Sequence, residues 1–496
     1  MWLERPHPPS QDVFPVDDRF EDVVVGAGIT GLTVGLLLAR AGRRVGVIDA
    51  LQVGSGTTGR TTGKVSLLQG TRLSRILAAQ SHDVAQAYVD ANREGQQWLL
   101  RFCADHDVPV QIRDAVTYAS SANETATVRE EHEAARSLGL GVRWADRLDV
   151  PFPLEGATLL AGQAQFDPMD VLVTLAARLR SHGGTVHEGR RVLGVSRRGT
   201  PEIALDDGRV LRADNVVLAT GVPTLDRGLY FAKLEAKRSY LLAYGGVEAP
   251  PAMYLSVSTS SRSIRGVPRD PTTPPLLLVG GAGHIVGRTQ SELAKLDELR
   301  EWTARHFEGA TETHAWSAQD YASHDGIPYV GKLPLGGGRI YLATGYDKWG
   351  LANGVAAART IAGQILGSRP GWAKVLGRRI TRPRGVARLA AVNAGITLAA
   401  SRSLGRAETA KVPIPVPEGA GVVGRDGLLP VGASTLNDRT CRVVALCTHL
   451  GGALRWNDAE KSWDCPLHGS RFSASGKVLE GPATRALVQR DVSHES

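Results

Sequence analysis

The sequence predicts an α/β fold for most of its 496 residues. Three features of the stretch from Glu21 to Ala50 lead to this prediction. A run of three valines is typical of a buried parallel strand. A glycine-rich turn and a helix rich in leucine and alanine follow it, and a second apolar strand then ends at an acidic residue. Strand, turn, helix and strand in this order indicate a βαβ unit of a parallel sheet.

The glycine-rich turn has the spacing G-x-G-x-x-G, with Gly26, Gly28 and Gly31 at the fixed positions. The first glycine allows a tight turn, the second lets a pyrophosphate approach the backbone, and the third lets the helix pack on the strand. Asp49 ends the second strand about twenty residues further on, where a carboxylate can hold a ribose hydroxyl pair. Together these features predict a Rossmann-like domain that binds a dinucleotide.

Other segments of the first 368 residues show helical or strand-like patterns. The predicted helices are Leu32–Ala41, Leu73–Asp107, Met169–His182, Glu292–His306 and Val355–Leu366. The predicted strands are Val23–Val25, Arg44–Ile48, Val110–Tyr118, Thr185–Ser196, Ile203–Leu211 with a turn at its centre, Asn215–Ala219, Leu276–Val279 and Ile340–Ala343. Cys103, on the second helix, is expected to be a buried thiol without a catalytic role.

Composition and the chain's first residues narrow the class of protein. Residues 1–19 are polar and proline-bearing, without the apolar core of a signal peptide, and are expected to form a flexible tail. No uninterrupted apolar run reaches the roughly 18 residues that suggest a spanning helix. The chain has only 4 cysteines, too few for a disulfide scaffold. We therefore expect a cytoplasmic protein.

The net charge of +8 is concentrated in one segment. Residues 369–411 contain 10 Lys or Arg and one acid, which gives +9 and leaves −1 for the rest of the chain. The segment has neither aromatic interleaving nor a nucleic-acid motif, so we interpret it as a basic linker without a nucleic-acid partner. Residues 386–400 are mildly apolar with arginine flanks, but they lack the large apolar anchors of an interfacial helix, and we expect no membrane contact.

Three further segments have the composition of a cofactor site. Residues 54–66 are rich in Gly and Thr and carry Arg60 and Lys64, which offers N–H groups, hydroxyls and cations to phosphate oxygens. The strand Asn215–Ala219 ends at Thr220 and Gly221, where the chain can approach the cofactor again. A glycine-rich turn from residue 344 to residue 354 opens a helix, and its free N–H groups suit a flavin carbonyl.

A second glycine cluster leaves an alternative open. Residues 280–287, GGAGHIVG, follow the strand Leu276–Val279 and resemble a second nucleotide fingerprint. An NAD(P)H site there would change the function. However, no second strand ending in an acid follows at the distance that such a fingerprint requires.

The most specific pattern is a pair of cysteine–histidine loops near the C-terminus. Cys447 and His449 form the first loop, and Cys465 and His468 form the second. A structural zinc site is one interpretation, but zinc fingers pair like ligands in C-x-x-C and H-x-x-x-H. Here each loop supplies one thiolate and one imidazole, as a Rieske [2Fe–2S] centre requires, because two cysteines hold one iron and two histidines hold the other. We predict these four residues as the metal ligands.

Residues 412–490 resemble a Rieske domain in CTHLGG, CPLHGSRF and GKVLEGPATRAL, which implies a small all-β domain over 412–496. The disulfide cysteines of the cytochrome bc subclass are missing, since Gly452 and Leu467 stand in their places. Ser470 keeps a hydroxyl donor, whereas Phe472 replaces the usual tyrosine. Fewer donors to the cluster imply a reduction potential below that subclass.

Residues 20–368 resemble the D-amino-acid oxidase/glycine oxidase superfamily in the fingerprint, GTTGRTTGKVS, QAQFDP, VVLATG, DGIPYVG and GYDKWGLANG. The resemblance implies FAD, with an α+β substrate domain interleaved in the Rossmann-like domain. The absence of His and Cys from residues 57–66 implies non-covalent FAD. The cofactor-binding residues are predicted to be Gly26, Gly28, Gly31, Asp49, Thr58, Arg60, Thr61, Thr62, Val192, Thr220, Gly221, Gly326, Ile327, Gly350 and Leu351.

The whole chain is similar to FAD-dependent oxidoreductases with a C-terminal Rieske domain. We predict that a small substrate, by this resemblance an amine or amino acid, gives a hydride to FAD. The cluster then passes single electrons to an external acceptor. The catalytic candidates are Arg60, Lys64, His284, Arg288, His324 and Lys348. The alternatives are an NAD(P)H-dependent reductase whose cluster feeds a partner oxygenase, and a non-catalytic redox sensor.

Overall fold

The computed structural model of the chain describes residues 1–4, 10, 12–196, 198–225, 227–267, 274–379, 387, 390–396, 398–399, 415–426 and 429–490. Of the predicted basic linker 369–411, the structure describes residues 369–379, 387, 390–396 and 398–399, and the rest of it lies outside the described residues. In the part that the structure describes, no helix is both long and apolar enough to cross a membrane.

The elements before residue 380 alternate between strands and helices. The strands are β1 (Arg19–Val25), β2 (Val45–Ile48), β3 (Lys64–Val65), β4 (Gln111–Tyr118), β5 (Arg143–Ala145), β6 (Ala157–Gln165), β7 (Thr185–His187), β8 (Val192–Val195), β9 (Glu202–Leu205), β10 (Val210–Leu218), β11 (Leu234–Gly245), β12 (Met253–Ser256), β13 (Arg262–Val267), β14 (Leu276–Ile285), β15 (Thr311–Ser323), β16 (Tyr329–Lys332) and β17 (Ile340–Thr344). The helices are α1 (Ile29–Arg40), α2 (Arg72–Ala79), α3 (His82–Asp105), α4 (Thr125–Ser137), α5 (Pro168–Ser181), α6 (Glu292–His306), α7 (Gly350–Leu366) and α8 (Gly371–Gly377).

The first sheet, here called the parallel sheet, has the strand order β16-β17-β10-β1-β2-β7. Strands β17, β10, β1, β2 and β7 are parallel, and the hairpin β8–β9 joins β10 on its antiparallel side. At the centre, Val24 lies opposite Val217 on one neighbour and Val47 on the other, and all three are fully buried. Helices α1, α5 and α7 pack together over this core. The predicted Rossmann-like fold is confirmed.

The second sheet, here called the large sheet, has the order β15-β11-β14-β13-β12-β4-β6-β3, with β5 beside β6. Its strands come from two insertions in the parallel sheet, one between β2 and β7 and one between β10 and β16. These insertions form the interleaved α+β domain that the sequence predicted.

The C-terminal part is all β. Its strands are β18 (Gly421–Asp426), β19 (Leu429–Leu436), β20 (Arg439–Val444), β21 (Arg455–Asn457), β22 (Ser462–Asp464), β23 (Arg471–Ser473), β24 (Val478–Glu480) and β25 (Gln489–Arg490). They form two antiparallel sheets, β18-β19-β20-β25 and β21-β22-β23-β24. Trp463 and Phe472 are fully buried between them and lie directly opposite each other on β22 and β23.

Five element predictions need correction. The helix predicted over 73–107 is two helices, because the Ser81 hydroxyl accepts a hydrogen bond from Val84 N and so starts α3 afresh. The strand predicted over 185–196 is interrupted at residues 188–191, whereas the strands predicted over 203–211 and 215–219 share the continuous β10. The helix predicted from Val355 begins five residues earlier at Gly350.

The second glycine cluster does not form a nucleotide loop. Gly280 and Gly281 lie inside β14, opposite Leu241 and Tyr240 of β11 and Ser263 and Arg262 of β13. Because the backbone here is hydrogen-bonded to strands on both sides, it cannot form the strand–turn–helix that binds a pyrophosphate. The alternative of a second nucleotide fingerprint at residues 280–287 therefore has no support in the structure.

Candidate functional site

A deep cleft opens between the carboxyl ends of the parallel strands and one face of the large sheet. Gly26 and Gly28 line it. Gly26 has φ of +109°, and a Cβ there would lie 2.5 Å from the carbonyl oxygen of Ala219. Gly31 does not line the cleft but packs α1 on β1, since a Cβ at that position would collide with the carbonyl oxygen of Gly26. The cradle therefore requires these glycines for distinct steric reasons.

Asp49 stands at the end of β2 and lines the cleft. Its carboxylate accepts hydrogen bonds from Ala27 N at 2.7 Å and from Leu51 N at 2.8 Å. Burial raises the pKa of Asp49 despite these two donors. The side chain thus joins the glycine turn to the loop after β2 and presents an acceptor to this end of the cleft.

The loop after β2 is held from several directions. Thr58 Oγ1 accepts a hydrogen bond from Ile29 N at 3.3 Å, while Trp316 donates its indole N–H to the carbonyl of Arg60 at 2.9 Å. Trp2 donates its indole N–H to the carbonyl of Thr61 at 2.9 Å and is 5% exposed. The start of the chain, predicted as a flexible tail, therefore includes a residue packed against this loop.

The residues of the cleft fit an FAD molecule. The N-terminus of α1 follows the glycine cradle at one end, and the N-terminus of α7, with Gly350 and Leu351, lies at the other. Both helix ends present N–H groups and positive dipole ends to electron-rich groups of a dinucleotide. Thr57, Thr58 and Thr62 line the cleft between these ends and offer hydroxyls.

Beyond α7 the cleft wall is the large sheet, and it carries several charges. Lys64 of β3 is 9% exposed and donates from Nζ to Tyr254 O and Ser263 Oγ, each at 2.8 Å. Burial, followed by repulsion from Arg265, lowers the pKa of Lys64 well below its usual range. No carboxylate pairs with Lys64 among the residues that the structure describes.

Two carboxylates, Asp320 and Asp347, lie near Lys237 and Lys348. Asp320 lines the cleft and accepts hydrogen bonds from the main-chain N–H groups of Lys348 and Tyr321. Burial raises the pKa of Asp320 to about 6. Asp347 is different: burial opposes its charge, but Arg72 at 2.8 Å and Lys237 at 3.5 Å hold its pKa well below the usual range. Asp320 is thus the carboxylate of the two that can exchange a proton near neutral pH.

The predicted cluster ligands lie on two facing loops. Gly451 N donates to Cys447 O at 2.9 Å, and Gly469 N donates to Cys465 O at 3.0 Å, so each loop closes tightly after its cysteine. The imidazoles of His449 and His468 lie edge to face with centroids 5.2 Å apart. A hydrogen bond between the two thiols lowers the pKa of Cys447 to about 6 and raises that of Cys465.

This arrangement suits two irons better than one. In the described ranges, no three His, Cys, Asp or Glu side chains are placed to hold a single metal ion. A tetrahedral zinc site needs its ligands to converge on one point. In a Rieske cluster, two cysteines bind one iron and two histidines bind the other, which matches a thiol pair beside an imidazole pair.

The C-terminal domain docks through its ligand loops on the other domain. Phe231 lies against His468 with ring centroids 5.2 Å apart. Arg288 donates from Nε to Pro466 O at 3.0 Å. Asp458 accepts hydrogen bonds from Ser291 Oγ at 2.6 Å and from Glu292 N at 2.8 Å. These contacts hold the histidine edge of the cluster loops against the large sheet.

A buried ion cluster completes this interface. Arg238 of β11 is 1% exposed and donates to Ser317 Oγ and Gln319 Oε1, each at 2.7 Å. Its guanidinium lies 3.5 Å from Glu460 and 3.7 Å from Glu480 of the C-terminal domain. Two acids from one domain therefore share a buried arginine from the other.

The two faces of the large sheet serve different sites. On β11, Lys237 and Ser239 line the cleft, whereas Arg238 between them contacts the C-terminal domain. On β15, Asp320 lies opposite Lys237, and Gln319 lies opposite Arg238. The strand alternation thus separates the cleft from the cluster loops by the thickness of one sheet.

The C-terminal domain also closes part of the cleft itself. Glu480 of β24 lines the cleft with its neighbours Leu479 and Gly481, as does Thr484. Arg191, at the same end of the cleft as Asp49, donates to Val478 O at 3.2 Å. One cleft therefore has walls from both domains.

The structure brings many predicted site residues to the cleft. Those that line it are Gly26, Gly28, Asp49, Thr58, Arg60, Thr61, Thr62, Lys64, Val192, Thr220, Gly221, Lys348, Gly350 and Leu351. Five others, besides Gly31, do not line it: His284, Arg288, His324, Gly326 and Ile327.

Packing and hydrogen bonds hold each of these five residues outside the cleft. His284 stacks on Tyr240 on the face of the large sheet turned toward the C-terminal domain, and Arg288 holds Pro466 there. His324 is 6% exposed and bonds to the Tyr329 hydroxyl at 2.6 Å. The carbonyl of Gly326 accepts a hydrogen bond from Arg72, and that of Ile327 accepts one from Arg379.

Sequence reasoning missed Lys237, Ser239 and Asp320, because it assigned no strand to residues 234–245 or 311–323. The first four residues of β11, Leu-Glu-Ala-Lys, alternate between apolar and polar and are a short signal for a strand, but Arg238 and Ser239 then break the alternation. The contribution of Glu480 had no local signal, since it depends on how the two domains dock.

Comparison with known proteins gives a consistent result. The family model for FAD dependent oxidoreductases (DAO) matches residues 23–364, and the model for the Rieske [2Fe-2S] domain matches residues 416–491. One relative is YhfW of Bacillus subtilis (strain 168), which is provisionally named a Rieske 2Fe-2S iron-sulfur protein. It is 29% identical over 99% of this chain and 97% of its own length. The cytochrome b6-f complex iron-sulfur subunit 1 of Nostoc sp. is 54% identical over 46 residues, which are 9% of this chain and 26% of that one.

Solved structures share the fold of the first part. Glycine oxidase from Geobacillus kaustophilus matches 71% of this chain and 96% of its own, with a TM-score of 0.59 and 18% identity. L-proline dehydrogenase from P. horikoshii matches 71% and 95%, with a TM-score of 0.59 and 15% identity.

Proposed function

Because this chain belongs to the FAD-dependent oxidoreductase family and carries a Rieske [2Fe–2S] domain, we propose that it oxidises a small amine or amino acid and delivers the electrons through the cluster to an external acceptor. The enzyme class and the two cofactors follow from the family. The substrate class, the acceptor and the residue roles are the proposal. A cytoplasmic location also remains a prediction from the sequence.

The observation that carries the proposal is the shared cleft. Residues of the FAD fingerprint and residues of the Rieske domain line the same space, and the ligand loops dock on the back of the sheet that forms its wall. Bound FAD supplies a two-electron acceptor, and the cluster supplies a one-electron carrier. A fixed arrangement of this kind suits a converter between the two. We propose Cys447, His449, Cys465 and His468 as the cluster ligands.

The charges in the cleft support an amino-acid-like substrate. Lys64 is a buried amine without a carboxylate partner in the described part of the chain, and Lys348 lines the cleft on the side of Asp320. An anionic group of the substrate would supply the missing negative charge and favour the charged form of Lys64. The names of glycine oxidase and L-proline dehydrogenase, which share the fold, agree with this class.

Asp320 has the properties of a proton acceptor for such a substrate. An ammonium group must lose its proton before hydride can leave the adjacent carbon, because the nitrogen lone pair stabilises the developing cation. The Asp320 carboxylate lines the cleft, and burial gives it a pKa of about 6, which suits proton exchange near neutral pH. Lys237 lies opposite it in the strand register and, with Lys348, balances its charge. We therefore assign proton uptake to Asp320 and substrate orientation to the lysines.

An anaerobic titration followed by visible and EPR spectroscopy tests the proposal. Purified holoenzyme receives a panel of amines and amino acids, with NADH and NADPH in parallel. Bleaching of the flavin band by an amine, followed by a reduced-Rieske EPR signal, is the expected result. Rapid bleaching by NAD(P)H alone would refute it and favour the reductase, while no bleaching by any compound would favour the redox sensor.

A further inference from the structure

Gln319 contacts both a loop that lines the cleft and a loop that carries a predicted cluster ligand. It is on β15, with its side chain on the face of the large sheet turned toward the Rieske domain, and it is 3% exposed. Its neighbours on either side, Ala318 and Asp320, line the cleft. The main chain of this residue is thus part of the cleft wall, while its side chain belongs to the domain interface.

The main-chain end of Gln319 is tied to the FAD loop. Thr57 lines the cleft and donates from Oγ1 to the carbonyl oxygen of Gln319 at 2.6 Å. Thr57 directly precedes Thr58 and the short turn that carries Arg60. A hydrogen bond of this length between a hydroxyl and a carbonyl fixes their separation closely.

The side-chain end of Gln319 is tied to the cluster loop. Its Nε2 donates to the carbonyl oxygen of Gly469 at 2.7 Å, and Gly469 directly follows the predicted ligand His468. Gly469 has φ of +78°, and a Cβ there would lie 2.5 Å from Ala236 Cβ and 2.9 Å from Gln319 Nε2. The glycine therefore allows the closest approach of this loop to the sheet.

Arg238 fixes the orientation of the Gln319 amide. It donates from Nη2 to Gln319 Oε1 at 2.7 Å, which leaves Nε2 as the atom that faces Gly469. The amide would otherwise be free to rotate by half a turn and present an acceptor to another acceptor. The buried arginine thus keeps Gln319 Nε2 hydrogen-bonded to Gly469 O.

We propose that Gln319 is the positioning residue that couples the cleft to the cluster for electron transfer. The path runs from Thr57 through the carbonyl, the Cα and the side chain of Gln319 to Gly469 and His468. Covalent and hydrogen-bonded contacts carry an electron farther than an equal gap through space. Each step moves one electron from reduced FAD to the oxidised cluster and breaks no bond between heavy atoms. The second electron follows when the external one-electron acceptor has reoxidised the cluster.

Ser291 offers a second contact between the domains and serves as the matched comparison. Its hydroxyl donates to Asp458 of the Rieske domain at 2.6 Å. Asp458 is not adjacent to a predicted ligand, so this contact holds the domain without leading to the cluster. Tyr321 is unsuited to the comparison, because its hydroxyl accepts a hydrogen bond from Gln319 Nε2 at 2.9 Å. We infer that the Ser291 hydroxyl contributes to docking and that Gln319 contributes to coupling.

The inference rests on the proposed function only for the direction of electron flow, so the test avoids the unknown substrate. The flavin of the full-length holoenzyme is reduced by a laser flash with deazaflavin and EDTA under anaerobic conditions. The subsequent absorbance changes of the flavin and of the cluster give the transfer rate. Gln319→Leu, which removes both polar atoms of the side-chain amide and keeps the main-chain carbonyl, is compared with Ser291→Ala, which removes only the hydroxyl.

Leucine replaces the hydrogen bond between Gln319 Nε2 and Gly469 O by a gap that an electron must cross through space, so we expect Gln319→Leu to slow transfer several-fold or more. Transfer in Ser291→Ala should stay close to that of the parent. The EPR g-values and the reduction potential of the cluster should not change in either variant, which separates coupling from damage to the cluster. Equal rates for Gln319→Leu and the parent, or equal slowing by Ser291→Ala, would overturn the proposal.

Thr57→Val tests the other end of the path should Gln319→Leu fail to fold. Valine keeps the shape of threonine and removes the hydroxyl that bonds to Gln319 O. Slower transfer with unchanged cluster spectra is the expected result, and an unchanged rate would overturn the path. A failed substrate titration would leave this test intact, because flash reduction needs no substrate.

Discussion

Replacing Arg238 by leucine should loosen the Rieske domain from the large sheet. The side chain is buried, donates two hydrogen bonds within its own domain and lies within 3.7 Å of Glu480 and 3.5 Å of Glu460. Leucine would leave the two acids at the interface with Arg471 still within 4 Å and with a weaker attraction from Arg60. The pKa of Glu480, which burial already raises, should rise further.

The size of this effect follows from the free energy that is lost when a buried charge loses its ion-pair partner. Breaking a buried ion pair by removing one partner costs about 3–5 kcal/mol. The low end applies here, because Glu460 and Glu480 are partly exposed and keep Arg471. A loss of about 3 kcal/mol corresponds to about two orders of magnitude in the equilibrium between docked and undocked domains. Since protonation of Glu480 relieves the orphaned charge, the loss should be smaller at low pH than at high pH.

Hydrogen exchange followed by mass spectrometry measures this equilibrium directly. Peptides from residues 458–464, 478–484 and 317–321 should exchange about two orders of magnitude faster in Arg238→Leu. Arg262→Leu is the matched control, because Arg262 of the same sheet is also buried and is paired with Glu298 of α6 at 2.9 Å, within the first domain. A second check is the double variant with Glu460→Leu, which should recover part of the loss. Equal exchange in the two single variants would refute the reasoning.

Four other outcomes follow from the site. Asp320→Asn should abolish a rise in the flavin-reduction rate with pH through about 6, measured by stopped flow, because the base form exists above that pKa. Lys64→Met should raise KM about 10–100-fold for an anionic substrate and leave an uncharged amine unaffected in steady-state assays, since a charged hydrogen bond is worth about 1.5–3 kcal/mol. Ser470→Ala should lower the cluster potential in film voltammetry, because its hydroxyl bonds to Cys447. Gly31→Ala should yield protein without bound FAD by absorbance, because the added Cβ would collide with Gly26 O.

The sequence was most informative where a site is local. Gly26, Gly28 and Gly31 lie within six residues of one another, and their spacing alone identifies the turn, although a Cβ at Gly26 would meet Ala219 and only the one at Gly31 would meet the turn itself. Family, fold class and both cofactors could be predicted from such motifs, and the comparisons confirm them. The cysteine–histidine loops are equally compact, because the ligand types and their spacing follow from the cluster itself.

The predictions failed where two distant strands meet. His284 lies in a glycine cluster and Arg288 directly follows it, and both were predicted to lie beside the flavin for that reason. In the structure that cluster is a strand between two others, and both side chains face the Rieske domain. The sequence of residues 280–288 contains no sign of which face of a sheet will be covered, because the cover is a domain almost two hundred residues further along the chain.

The large sheet shows why one face could not be interpreted without the other. Along β11, Lys237 and Ser239 serve the cleft while Arg238 serves the interface, and along β15 Asp320 and Gln319 divide in the same way. A strand with polar residues on both faces lacks the apolar–polar alternation that predicts a half-buried strand. The feature that hid these strands from sequence analysis is therefore the feature that lets one sheet face FAD on one side and the cluster on the other. A one-residue slip in the register of β15 would exchange Asp320 and Gln319 and disconnect both functions at once.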